Sequence, residues 1–208
     1  ESDLVAVATA GHRLVRVKHR MPKAVNLKKD VIVPAKALGV ISRSIEEGSS
    51  TIAIGDTHIR FAFDSSTLIS RLIEEPYPNY ESVIPSDNDK ELLVNRDDAI
   101  SSIRRVALYA SATTRQIRFE IGKEQLKIMA QDMDFGGEAM ETMPCEYTGD
   151  NLESGFNSTY LIDVFTHLDC ERVQMKFSLP TRAGIISPEK GDEGENVLML
   201  VMPVRLNA

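Results

Sequence analysis

A handful of strings hold the residue types from which a catalytic or metal-binding site is usually assembled. Asp132-Met133-Asp134 spaces two carboxylates as a calcium loop begins. The glycine and closing glutamate of such a loop are out of register, so the string reads as a solvated turn between strands. Gly191-Asp192-Glu193-Gly194-Glu195-Asn196 has the composition of a mobile hairpin loop. Of the four histidines, only His12 has suggestive neighbours, in Thr9-Ala10-Gly11-His12-Arg13-Leu14. A histidine beside an arginine, with no carboxylate near it in sequence, is poorly placed for proton transfer. Cys145 and Cys170 make neither a CxxC pair nor a Cys/His ligand spacing, which argues against a zinc site or a disulfide framework and for two reduced thiols in a cytoplasmic protein. No GxSxG, HExxH, phosphate-loop or dinucleotide-binding pattern occurs. The expectation is a binding or scaffold protein: not an enzyme, with no metal and no cofactor.

The elements that position these residues must be built by an ordinary globular chain. With 208 residues, 42% hydrophobic and 26% charged, the composition excludes disordered and collagen-like classes. A chain of this size can bury about 70% of its unfolded surface without disulfide or metal staples. The longest apolar run, the eight residues from Val197 to Val204, is too short to cross a bilayer as a helix, so no membrane partner is expected. The chain opens Glu-Ser-Asp and enters a strand-like run at once, as a piece of a longer protein would.

One pattern recurs three times: an apolar strand, an amphipathic helix, then a strand hairpin. The helices begin at Pro34, Asn95 and Asn157, spacings of 61 and 62 residues. In the first block Val31-Ile32-Val33 leads into a helix with Leu38, Ile41 and Ile45 on one face, ended by Gly48. Its hairpin alternates through Ile52, Ile54, Ile59, Phe61 and Phe63 around Gly55-Asp56. In the second, Asn95 caps a helix with Asp97 and Asp98 first and Arg104 and Arg105 last, each sign where the macrodipole favours it. Ile100, Ile103 and Ala107 form its stripe, and Ile117, Phe119, Ile121, Leu126 and Ile128 its hairpin. The third runs from Asn157 through Leu161, Phe165 and Leu168 to Val173, Met175, Phe177 and Leu179. Helices each followed by two or more strands predict an α+β fold with mainly antiparallel sheets. The polar stretch Pro85-Ser86-Asp87-Asn88-Asp89 suggests a boundary, giving domains 1–86 and 87–208.

Two surfaces remain for binding. The helix faces opposite the core stripes carry Lys36 and Arg43, then Arg96, Arg104 and Arg105; residues 94–118 hold five arginines against two aspartates in a chain of net charge −7. Such an excess could track phosphate, and a solvated helix face accounts for it equally well. The third helix offers only Asp163 and His167, which weakens the nucleic-acid reading. The second surface is the C-terminus, where Leu198 to Leu206 is apolar at both parities: a buried closing strand in its first half, and a groove rim from Pro203 onward.

Four strings in order along the chain carry a resemblance. Thr9-Ala10-Gly11-His12-Arg13-Leu14, Tyr77-Pro78-Asn79-Tyr80, Gly155-Phe156-Asn157 with Tyr160, and Val201-Met202-Pro203-Val204-Arg205-Leu206 resemble segments of the bacterial DNA sliding clamp family, the beta subunit of DNA polymerase III. The resemblance implies a DNA-clamp fold of repeated strand-helix-strand blocks, antiparallel sheets outside and helices facing the DNA hole. It implies a homodimeric ring when full length, with residues 1–86 the latter half of a middle domain and 87–208 a complete last domain. Its partners would be duplex DNA, held without regard to sequence, and the replicative polymerase, clamp loader and repair proteins, docked through short linear peptides of the Gln-Leu-x-Leu-Phe kind. The alternative is a peptide- or small-ligand-binding module with no nucleic-acid role.

Carried over position by position, the peptide pocket would draw Thr9, Gly11, His12, Arg13 and Leu14 from the first string. Pro78 and Val83 would follow, then Asn157 and Tyr160, then Thr181 and Ala183. Leu200, Val201, Met202, Pro203, Val204, Arg205 and Leu206 would close it. Leu14, Val83, Val201, Met202 and Pro203 suit a peptide's Leu and Phe, while Arg13, His12 and Asn157 suit its backbone and glutamine. The DNA-facing cations would be Lys36, Arg43, Arg96, Arg104 and Arg105, and Leu108 and Tyr109 match the family's subunit contact. The sequence departs from the family pattern at Ala10, where the family has Asp, at Val204, where it has Met, at Thr114, where it often has an aromatic, and in the extension Asn207-Ala208.

Overall fold

A computed structural model describes all residues except 1, 22, 24, 26, 46–48, 64, 134, 207 and 208. The expectations at Gly48, Asp134 and Asn207-Ala208 therefore lie outside the described residues. The chain divides into two compact units, one made of residues 1–25 with 80–208 and the other of residues 26–79.

The chain starts with an antiparallel hairpin of β1 (Asp3–Thr9) and β2 (Arg13–Arg20). Its turn uses Gly11 at φ 72°, a left-handed position that costs glycine nothing. In the smaller unit, the strand expected at Val31–Val33 is reduced to a single bridge between Ile32 and Ile73. Helix α1 (Ala35–Ser44) then precedes a three-stranded antiparallel sheet of β3 (Ser50–Ile54), β4 (His58–Phe63) and β5 (Ser66–Arg71). Ile41, Ile59, Phe61, Phe63 and Leu72 form its core. The buried stripe of α1 is Ala37 and Ile41, an i,i+4 pair; Leu38 is exposed, and Ile45 is the exposed C-cap rather than a stripe member.

In the larger unit a 3-10 turn (Tyr80–Val83) leads to β6 (Lys90–Asn95), α2 (Arg96–Val106) and a second 3-10 turn (Ala107–Tyr109). Four strands follow: β7 (Gln116–Ile121), β8 (Gln125–Asp132), β9 (Gly137–Pro144) and β10 (Glu146–Thr148). The last block is β11 (Leu152–Asn157), α3 (Ser158–Thr166), β12 (Arg172–Phe177), β13 (Gly184–Pro188) and β14 (Glu195–Val201). Two antiparallel sheets result, one in the order β1-β2-β14-β13-β12-β6-β10 and one in the order β11-β7-β8-β9. The α+β class and the second and third blocks are as the sequence predicts.

The core of this unit lies between α2, α3 and the sheets, where Phe119, Phe156, Phe165 and Phe177 are fully buried. Phe119 and Phe156 meet edge to face with ring centroids 5.4 Å apart. Ile100, Ile103 and Val106 form the α2 stripe, with Ala107, beyond the helix, only partly buried. Leu161, Phe165 and Leu168 are buried as expected, whereas Leu179 lies past the end of β12 and is exposed.

The polar stretch at 85–89 is tied to the end of the chain. The Asn88 amide donates to the carbonyls of Lys176 and Ala183 at 2.9 and 3.0 Å, and Arg182 pairs with Asp87. Compactness and the linear division at 86/87 are therefore different partitions of the chain. Arg105 ties α2 to β9 by donating two hydrogen bonds to Glu141, at 2.6 and 2.7 Å. No helix among the described residues is long and apolar enough to cross a membrane.

Two outcomes are expected. Phe156→Ala removes a fully buried ring from the centre of the larger unit and should destabilise it by about 3–5 kcal/mol, read from denaturant unfolding. The Arg105 hydrogen bond, opposed by partial burial and helped by Ser102, holds the Glu141 carboxyl below its ordinary value of 4.5. The unfolded state then binds more protons, so the pair's stabilisation is present above pH 4.5 and fades as pH falls through the lower folded value. Acid titration of stability should be shallower in Glu141→Gln than in the parent.

Candidate functional site

Three separated segments meet at one edge of the larger unit. The first is the β1–β2 turn, closed by Ala10 N–H to Arg13 O (3.0 Å), His12 N–H to Ala10 O (2.8 Å) and the Thr9 hydroxyl to Arg13 O (3.1 Å). The second is the first turn of α3, whose N-cap Asn157 accepts from the amides of Thr159 and Tyr160 at 3.0 and 3.3 Å. The third is the residue after β14, where Met202 N–H donates to His12 O at 2.9 Å.

Side chains fill the junction. The Arg13 guanidinium lies 4.5 Å from the centre of the Tyr160 ring, a cation–π contact, and it forms an ion pair with Asp163. His12 stacks on the same ring at 6.2 Å and an interplanar angle of 20°. Beneath them Leu14, Ala183 and Leu200 form a small buried cluster joined by Tyr80 and Ile84. Val83, between those last two anchors, is exposed beside it.

The chain's end then crosses to the other sheet. Val204 N–H donates to Gly155 O at 2.9 Å, forming an isolated bridge to β11. A Cβ on Gly155 would stand 2.8 Å from both Val204 O and Leu206 Cδ2, so only glycine permits this approach. Leu206 borders a groove of about 850 Å³ over β7, β8 and β9, whose lining includes Thr114, Arg118, Met129 and Met140.

Of the residues carried over for a pocket, the structure brings together Thr9, Gly11, His12, Arg13, Asn157, Tyr160, Met202, Pro203, Val204 and Leu206. Leu14, Ala183, Leu200 and Val201 are buried and lie beneath these residues. Asn157 is occupied as a helix cap and donates to Thr114 O at 3.1 Å. Arg205 and Thr181 are exposed, and Pro78 is an exposed residue of the smaller unit. Asp163, read from sequence only as a polar residue of the third helix, is not assigned to the pocket there. Its i,i+3 spacing from Tyr160 places both on one helix face, and only the fold shows that Arg13, 150 residues away, is its partner.

The cationic residues divide by their partners. Lys36, Arg43 and Arg104 are exposed. Arg96 is taken by Asp97, at 2.8 Å, and by the carbonyl of Leu168, and Arg105 by Glu141. Leu108 and Tyr109 are exposed together with Met133, Phe135 and Met140 of the β8–β9 region, and Tyr109 lies against Gly137. Burial pushes the Cys145 thiol up to about 11 and also raises that of Cys170, so neither is a poised nucleophile. Among the described residues no cluster of His, Cys, Asp and Glu could hold a metal ion.

Comparison with known proteins places this geometry. Residues 81–205 match the C-terminal domain of the DNA polymerase III beta subunit family, and residues 1–79 match its central domain. The beta sliding clamp of Pseudomonas putida is 33% identical over 207 residues, covering 99% of this chain and 55% of that protein. The crystal structure of the Pseudomonas aeruginosa clamp bound to griselimycin superposes with a TM-score of 0.91 at 32% identity, over 98% of this chain and 55% of that one. The Bartonella birtlesii clamp, also bound to griselimycin, gives 0.88 at 34% identity, over 98% and 55%. The chain thus spans about half the length of the relatives it matches. With both domain matches in order and the fold shared, the chain belongs to the bacterial DNA polymerase III beta subunit, or sliding clamp, family.

Proposed function

We propose that this chain is part of a processivity clamp that encircles duplex DNA without reading its sequence and docks other replication proteins through a peptide pocket. The observation that carries the reading is the convergence of the β1–β2 turn, the first turn of α3 and the C-terminal tail around Tyr160. Met202 and Val83 offer exposed apolar surface there, and methionine adapts to several partners. The occupants are short linear peptides of the polymerase, the clamp loader and repair proteins. A clamp makes no covalent change to its partners, so no catalytic group is required.

Residues 1–86 are read as the latter half of a middle domain and 87–208 as a whole last domain, in a cytoplasmic protein that closes its ring as a homodimer. Leu108 and Tyr109 take the subunit-contact role. For DNA, the proposed lining is carried by Lys36, Arg43 and Arg104, with Arg96 and Arg105 contributing less because each already has a carboxylate partner. Such a lining attracts phosphate over about 10 Å at 0.1 M salt and reads no base edges, as a sliding contact requires.

Binding experiments follow from this. Met202→Ala should weaken a Gln-Leu-x-Leu-Phe peptide by about 1–2 kcal/mol in calorimetry and leave the melting temperature nearly unchanged, because that side chain is not part of the core. In gel shifts with random duplex DNA, binding should be weak and fall steeply with salt. Arg104→Ala should reduce the salt slope by about 1, and Arg96→Ala by less. Tight binding that persists at high salt would count against the clamp reading.

A further inference from the structure

Asp163 lies on α3 one turn beyond Tyr160, outside the set of residues that the family resemblance brings to the pocket. One carboxylate oxygen pairs with Arg13 Nη1, and the other lies 3.4 Å from His167 Nδ1. Arg13 is fixed twice, edge-on by Asp163 and face-on by Tyr160 at 4.5 Å. Its side chain remains 27% exposed.

This arrangement has a chemical consequence. A guanidinium carries five N–H donors and one positive charge. The ion pair uses one donor, yet it offsets most of the charge seen by a ligand. What remains is a rigid set of donors with little net field. Carboxylates are drawn by charge, whereas carbonyls and carboxamides need only directed donors, so such a wall favours neutral acceptors.

Resting on the peptide-pocket reading, we propose that Asp163 determines specificity: by neutralising and orienting Arg13 it sets the site to take amide-bearing peptides and to disfavour acidic ones. It does so through Arg13 and is a positioning residue, without touching the ligand. Loss of its charge leaves Arg13 stacked on Tyr160 but electrostatically unmatched.

The test compares two peptides, Gln-Leu-x-Leu-Phe and the same sequence with Glu in place of Gln, by calorimetry on the 208-residue chain. Asp163→Asn should weaken the Gln peptide about threefold and strengthen the Glu peptide about threefold, a change of about tenfold in their ratio that shrinks in high salt. Asp163→Glu should keep the parent ratio. Asp163→Ser gives the same readout as Asn should the amide disturb the helix. The proposal is overturned if both peptides change by one common factor, or if the ratio stays that of the parent. Met202→Ala separates the two levels: if it weakens both peptides while the Asp163 variants leave the ratio alone, only this inference falls. If the parent binds neither peptide, or Met202→Ala binds as the parent does, the pocket reading fails and this inference with it.

Discussion

The pairing of β14 with β2 is the interaction on which the larger unit depends. It joins the last strand of the chain to its first hairpin, with Val201 opposite Arg13 and Leu200 opposite Leu14. β14 also pairs with β13, so both its edges are used. Its side chains are buried on both faces: Met199 and Val201 enter the main core, while Leu200 enters the small cluster with Leu14 and Ala183. This is why the end of the chain is apolar at both parities. The residues in β2 match the family's central domain and those in β14 its C-terminal domain, so one sheet runs unbroken across the junction between them.

That pairing also dictates what happens at its end. Met202 N–H still reaches His12 O, the last bond from the seven-stranded sheet. Pro203 has no N–H to continue a ladder, and the next amide, that of Val204, is satisfied by Gly155 in the other sheet. The tail therefore bridges two sheets, with Met202 and Arg205 exposed and Val204 and Leu206 against β11. A side chain at position 155 would meet this crossing at 2.8 Å. The glycine of Gly155-Phe156-Asn157, the adjacent buried ring and the helix cap thus serve three different physical needs in three consecutive residues.

Local periodicity was enough to find most of this fold, because the second and third blocks each carry their own strand alternation, cap and helical stripe. It misplaced the α1 stripe, where Leu38 and Ile45 share a nominal face with Ile41 but only Ala37 and Ile41 reach the sheet. It overstated the strand at Val31–Val33, which lacks a partner beyond the Ile32–Ile73 bridge. The site was legible through its strings and not through its energetics. Leu14 and Val201 read as pocket walls in sequence, and their burial by strand pairing shows only in the fold. Asn157, carried over to the pocket and also expected to open the third helix, does cap α3. Arg13 shows no nearby acid in sequence, since its carboxylate arrives from α3. Partners so far apart along the chain leave no periodic signal for a local reading to use.

Charge counting fails for the same reason. Arg105 meets Glu141, Arg118 meets Glu153 at 2.6 Å, Arg172 meets Glu146 and Glu189, and Arg182 meets Asp87. Exposed pairs of this kind contribute only about 0–1 kcal/mol each to stability. Their larger effect is on the field, because opposite charges this close largely cancel at distances well beyond their separation. An arginine count along α2 therefore overstates its pull on phosphate, and Arg104 is left to act where Arg96 and Arg105 are already matched. The same reasoning applied to Arg13 turns an apparent anion site into a set of oriented donors. In this chain the identity of a cation matters less than the carboxylate that the fold places beside it.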